Sequence, residues 1–354
     1  MFVQGRKTGC RITLDYTFRD MRVAYLENDL VRVGVLVDKG GDVFELEYKP
    51  HNLDVLWHSP IPLRKPFIAT TASPEGAFHD YFFGGWQEVL PAAGWAAGPY
   101  LGAYQGLHGE VSLLPFAARI LEDSIERVTI ELEVRLYRSP LRLIRRMSLQ
   151  ENLAALFIQE RLENEAPIEF AIMWGHHPSF GPPFLDETCV VRAKATGIEV
   201  NNFHRSGLWE PGVGYKFPLA PNRRSGKLED VTRILPKSTG SADGICFTGL
   251  KEGWFGVTSE RLGLGIGMAW DAGLFRYLWM WQEYGGHDDF PWYGRTYNIA
   301  LEPFTSWPPA GIITAIKNGS ARILKPNEII ETNLVAVFYE GDVSQVRLDG
   351  SVRS

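Results

Sequence analysis

The sequence has little to staple or anchor it. Its three cysteines, Cys10, Cys189 and Cys246, are odd in number, widely separated and never in a CxxC pair. Neither a disulfide framework nor a thiolate zinc site is expected from them. Their scarcity suits a reducing compartment, and a cytoplasmic location is the expectation. No apolar run approaches the roughly 20 residues that span a bilayer. The opening stretch Met1 to Phe18 lacks the uninterrupted apolar segment of a signal peptide. Clustered basic charge is missing too: the formal net charge is −6, and the one dense basic stretch, Arg142 to Arg146, reads as part of a strand. A nucleic-acid partner, which wants clustered Lys and Arg, is therefore not expected. HExxH and spaced His/Cys ligand sets are absent. His176 and His177 are chain neighbours, and on a strand neighbours point to opposite faces, so no metal is expected there. A long amphipathic helix is also lacking.

What is present is alternation. Val128, Ile130, Leu132, Val134 and Leu136 alternate with Thr129, Glu131, Glu133, Arg135 and Tyr137, the pattern of a half-buried strand. Ile168, Phe170, Ile172 and Trp174 repeat it. So do Tyr297, Ile299 and Leu301, with Asn298, Ala300 and Glu302 on the opposite face. Near the N-terminus, strands are expected over Arg22 to Glu27, Leu30 to Val37, Asp42 to Tyr48 and Asp54 to His58, separated by Asn/Asp, Gly/Gly and Pro-containing turns. Near the C-terminus, Ala321 to Leu324 and Thr332 to Phe338 read as a hairpin turned by Lys325 to Glu328. Strands and turns this dense predict an all-β sandwich or barrel. No composition shift marks a linker, so one domain over residues 1–354 is the expected organisation, with about 20 N-terminal and 12 C-terminal residues peripheral.

Two stretches break the period: Pro60 to Tyr104, rich in Gly, Pro and aromatics, and Asn201 to Gly244. Long irregular segments in a compact domain usually carry function or cover a site. Aromatic residues are abundant, with 11 Trp, 13 Tyr and 20 Phe. A β-rich core accounts for most of them; flat rings also stack on sugar faces. Phe275, Tyr277, Trp279 and Trp281 alternate, which would place all four on one strand face. Trp86 and Trp292, in Gly/Pro-rich loops, are further stacking candidates.

Three segments could carry chemistry: Gly106-Leu107-His108-Gly109-Glu110, Met173 to Phe180 around His176 and His177, and Asn298 to Pro303 around Glu302. Each alone reads as structural or solvated. Together they offer a carboxylate and a histidine, with reference pKa values of about 4.3 and 6.5, suited to paired acid and base work near neutral pH.

The order His108-Gly109, then His177 with Phe180 three residues on, then Leu301-Glu302-Pro303 resembles the aldose 1-epimerase (galactose mutarotase-like) family. Gly40-Gly41-Asp42-Val43 and the Gly84 to Pro91 loop resemble its Gly-rich segments. The resemblance spans roughly residues 20 to 340. It implies a β-supersandwich with the site on a concave sheet face. It implies Glu302 as the general base at the anomeric hydroxyl, His177 as the general acid at the ring oxygen, and His108 as a sugar contact or helper. Trp86, Gln87, Glu88, His176 and Trp279 complete the expected substrate-binding set. No cofactor is implied, because the hemiacetal supplies its own reactivity.

The chain departs from the family in lacking an Asn-Arg-Ile triplet before the first His, which leaves the sugar and its phosphorylation state open. Asp271, Asp288 and Asp289 are all candidates for the family's substrate-binding Asp. The implied partner is a small-molecule sugar, without nucleic acid or membrane, and a homodimer is allowed for. A sugar-binding protein or sensor on the same fold is the alternative. A two-carboxylate hydrolase would need a second acid near Glu302, with Glu88 or Asp289 as suspects.

Overall fold

The computed structural model describes residues 6–66, 77–95, 98–201 and 203–354. Two large antiparallel sheets dominate them. The first has twelve strands. Its order is Arg11–Phe18, Met21–Glu27, Val31–Leu36, Asp42–Tyr48, Trp86–Val89, Gly175–Phe180, Tyr297–Phe304, Tyr277–Tyr284, Ser241–Thr248, Gly197–Val200 and Gly212–Lys216, with Leu53–Asp54 paired to the side of Asp42–Tyr48. The second has eight, in the order Cys189–Ala193, Trp254–Ser259, Leu264–Trp270, Ile329–Glu340, Ala155–Asn164, Leu141–Gln150, Arg127–Arg135 and Ala117–Asp123. The α-helices among the described residues are short, Phe78–Tyr81 and Gly311–Lys317. None is long and apolar enough to cross a membrane.

The alternation explains the layering. Leu278, Met280, Ile299 and Leu301 from the twelve-stranded sheet and Leu132, Met147, Ile158 and Phe255 from the eight-stranded sheet share one continuous buried core. Burying such side chains contributes roughly 1.5–3 kcal/mol each against exposure. Each strand's other residues must then face away from the partner sheet. In the twelve-stranded sheet that outer face is itself covered, by loops and a second set of apolar side chains.

Several local expectations are corrected. Asp54 to His58 is not a full strand: only Leu53–Asp54 pairs regularly, and Leu56 and His58 make isolated bridges to Phe180 and Gly84. The C-terminal hairpin does not form. Arg322–Leu324 pairs with Phe170–Ile172, while Ile329–Glu340 lies between Ala155–Asn164 and Leu264–Trp270. Long-range pairing overrides the local turn because the Ile329–Glu340 strand buries apolar residues on both faces. Phe275 precedes the Tyr277–Tyr284 strand and packs beside Trp174 and His176, so it leaves the aromatic row.

Candidate functional site

Register builds the centre of the site. Gly175 lies opposite Phe304 and Ser179 opposite Ala300, which sets His177 opposite Glu302. Trp279 pairs with Glu302 on its other side. Alternation then gives His177, Glu302, Trp279 and Trp281 one common face, turned away from the eight-stranded sheet. These four residues wall a cleft of about 750 Å3 including its mouth, together with Phe78, Phe82, Trp95, His108, His287 and Trp292.

Within the cleft, His177 Nε2 stands 3.5 Å from Glu302 Oε1. The Ser179 hydroxyl lies 3.2 Å from His177 Nδ1 and fixes the ring. Phe82, Trp281 and His108 meet the same ring edge to face, at centroid distances of 5.3, 5.8 and 5.6 Å. Glu302 Oε2 is buried and has no hydrogen-bond partner among the described residues. Leaving a buried carboxylate oxygen unpaired costs about 1–3 kcal/mol, a cost that a ligand hydroxyl or a bound water in the cleft would relieve.

Burial sets the charge state. It pushes the Glu302 carboxyl well above the ordinary range and drives the His177 imidazole down to about 4. His79 is likewise lowered to about 4, by burial and then by His287. His108 is driven well down by burial, then by His177 and His79. Burial alone therefore favours a carboxylic acid beside a neutral imidazole.

His108 is placed by backbone conformation. Its own φ is +56°, followed by Gly109 at +71°. A side chain at Gly109 would meet the Leu90 carbonyl oxygen at 2.3 Å, so this turn needs glycine. His108 Nδ1 accepts from the Gly94 N–H at 3.2 Å, which turns the ring toward His177.

Four expected sugar contacts lie elsewhere. Trp86, Glu88 and His176 sit on the opposite face of the sheet, sealed in the core between the two sheets. Arg145 bridges Glu88 and Glu160 there. Trp174 Nε1 donates to Glu88 at 2.6 Å, and His176 Nε2 lies 3.1 Å from Glu160. Trp86 Nε1 in turn donates to His176 Nδ1. Against the penalty of burial, His176 and Arg145 hold the Glu160 carboxyl low. These residues form a structural charge network, and Glu88 cannot be the second acid of a hydrolase. Gln87 pairs across the strand with His177 but is fully buried, with its amide donating to the Gly84 carbonyl. Asp271 borders a different depression. Trp279 lines the cleft but is stacked on Phe304 at 3.8 Å and hydrogen-bonded to the Ser306 carbonyl, and Trp281, half-buried, is the more exposed ring of that strand face.

Among the described residues, two groups of side chains converge closely enough to hold a metal ion: Glu88, Glu160 and His176, and His204, His287 and Asp289. In the first, Arg145 already pairs with both carboxyl groups. Sequence reading named Asp289 as a possible sugar contact but missed His204 and His287, along with Phe78, His79 and Phe82, because segments distant in the chain bring them to the cleft.

The nearly all-β, antiparallel two-sheet architecture is that of the galactose mutarotase-like proteins. A candidate aldose 1-epimerase from Klebsiella pneumoniae superposes with a TM-score of 0.70 at 14% identity, over 94% of this chain and 83% of that one. A galactose mutarotase-like protein from Clostridium acetobutylicum gives 0.65 at 14% identity, over 94% and 99%. A candidate aldose 1-epimerase from Escherichia coli gives 0.59 at 15% identity, over 90% and 99%. At these identities the likeness establishes the fold. Residues 19–336 match the family model described as a domain of unknown function, DUF4432, and the chain belongs to that family. No curated protein matches the sequence.

Proposed function

We propose that this protein is an aldose 1-epimerase-like isomerase that interconverts the α and β anomers of an uncharged aldose. One observation carries the reading: His177 and Glu302 face each other at 3.5 Å in an aromatic cleft, with a buried Glu302 oxygen left unpaired. Aromatic rings suit the apolar faces of a sugar. No Lys or Arg is among the described residues that line the cleft, which favours a neutral sugar over a sugar phosphate.

Anomer exchange needs one group to take the anomeric hydroxyl proton while another protonates the ring oxygen. Ring opening would start from the Glu302 carboxylate and the His177 imidazolium. It would end with Glu302 protonated and His177 neutral. The C1–C2 bond then rotates, and closure returns both protons along the same paths. The pair holds one proton throughout, shared differently in the two halves. Burial favours the neutral arrangement, so it supports the open-chain half. Sugar hydroxyls donating to Glu302 would favour the carboxylate that opening requires. His108, beside His177 and poor at holding a proton, would orient hydroxyls.

The test is magnetisation exchange between anomer signals for a panel of free aldoses, with wild type and Glu302→Gln. Accelerated exchange that the substitution removes supports the reading. Sugar binding without acceleration in the wild type would point to a sensor instead.

A further inference from the structure

We propose that His204, His287 and Asp289 form a binding site for a divalent first-row transition-metal ion at the rim of the cleft. The three side chains come from two loops distant in sequence. His287 Nε2 lies 3.0 Å from Asp289 Oδ1, and His204 Nε2 lies 3.4 Å from the same oxygen. Their ligating atoms all fall within 4.8 Å of one another. Donors around a tetrahedral ion with bonds of about 2.0–2.1 Å stand roughly 3.3 Å apart, so this spacing needs little adjustment.

The second observation is an orphaned ring nitrogen. The His204 side chain is only 6% exposed, yet its Nε2 makes no hydrogen bond among the described residues, with the nearest carboxylate oxygens 3.4 and 3.5 Å away. The opposite edge of each ring is already held. The Ser206 hydroxyl lies 2.8 Å from His204 Nδ1, and Glu283 Oε1 lies 3.2 Å from His287 Nδ1. Both Nε2 atoms are thus aimed inward, with the outer support that metal-binding imidazoles ordinarily have. Arg205 reaches Asp288 and the other oxygen of Asp289, which leaves Asp289 Oδ1 to the histidines. The rings stack at 4.5 Å with a 29° tilt. Two imidazoles and a carboxylate suit zinc, iron, cobalt or nickel better than calcium or magnesium.

The position is suggestive for ligand binding. His287 and Phe203 also line the cleft. Glu283, which braces His287, accepts from Trp281 Nε1 at 3.1 Å, and the Trp281 ring meets His177. With three protein ligands, an ion keeps a coordination position for a hydroxyl or carbonyl oxygen of a molecule in the cleft. The site stands whether or not the cleft exchanges anomers.

The experiment uses untagged full-length protein, stripped with chelator and titrated calorimetrically with Zn2+, Mn2+, Co2+ and Ni2+, with the visible spectrum of the Co2+ form as a second readout. The expected result is one equivalent bound per chain by at least one ion, lost in His204→Ala and in His287→Ala and kept in Glu302→Gln. Asp289→Asn changes an exposed side chain, so it tests the site without threatening the fold. It should weaken binding and remove the metal-dependent rise in melting temperature. Absence of stoichiometric binding for all four ions, or binding undiminished in the His204, His287 and Asp289 variants, would overturn the proposal.

Discussion

His177 Nε2 faces Glu302 Oε1 at 3.5 Å across two adjacent strands, and burial, with no offsetting charge among the described residues, sets the titration of both. A carboxyl kept in such a place works against the fold. Glu302→Gln is therefore expected to stabilise the protein above neutral pH, by on the order of 1–2 kcal/mol. The sign follows from its raised pKa: the favourable protonated state is complete at low pH and is lost as pH rises through the folded value. Urea unfolding at pH 8 checks this. A less stable variant would mean that Glu302 has a structural partner.

Activity should follow the number of protons on the pair. A second proton arrives when His177 is titrated, near its lowered value of about 4. The single proton is lost only above the ordinary carboxylate range, because burial raises Glu302. The rate of anomer exchange should give a bell with an acid limb near pH 4 and an alkaline limb well above the usual Glu value. A rate that grows monotonically through pH 4 to 9 would contradict the shared-proton pair.

His177 should also leave a mark on acid stability. Its folded pKa is depressed from 6.5 to about 4, so its contribution is present above the unfolded value and lost as pH falls through the folded one. The shift corresponds to about 3 kcal/mol at most. Raised carboxyls such as Glu302 slope the other way, so wild type must be compared with His177→Gln. Between pH 7 and 4 the wild type should lose more stability than the variant. Parallel pH dependences would mean that the imidazole is not desolvated.

How much of this was legible follows from period. Val128 to Leu136 announces its strand because apolar and mostly polar residues alternate along it, and Tyr297 to Glu302 does the same, although both faces of the latter are buried. Glu302 could therefore be placed on a face from sequence, and so could the opposite orientations of His176 and His177. Depth behind the sheet could not. Glu88 and His176 look like cleft residues in the chain, but Arg145, some sixty residues from Glu88, draws Glu88 into the core. The cleft's aromatic wall comes largely from the irregular Phe78–Trp95 segment and from Trp292, where alternation gives no facing. The same limit hid His204 beside His287.

The buried network behind the sheet makes its own prediction. Arg145 is the one cation between Glu88 and Glu160, and removing it leaves buried charge uncompensated. Arg145→Met should cost about 3–5 kcal/mol, read from denaturant midpoints. A near-neutral change would mean that protonation of the two carboxyls compensates the loss.

The most direct test of the central claim is anomer exchange itself, measured by NMR on a panel of free aldoses at pH 7 with wild type, Glu302→Gln and buffer alone. The account predicts that one sugar or a few related ones exchange faster with wild type, and that Glu302→Gln lowers the enzyme's contribution by about 100-fold or more. Faster exchange that survives in Glu302→Gln, or no acceleration for any sugar that binds, would contradict it.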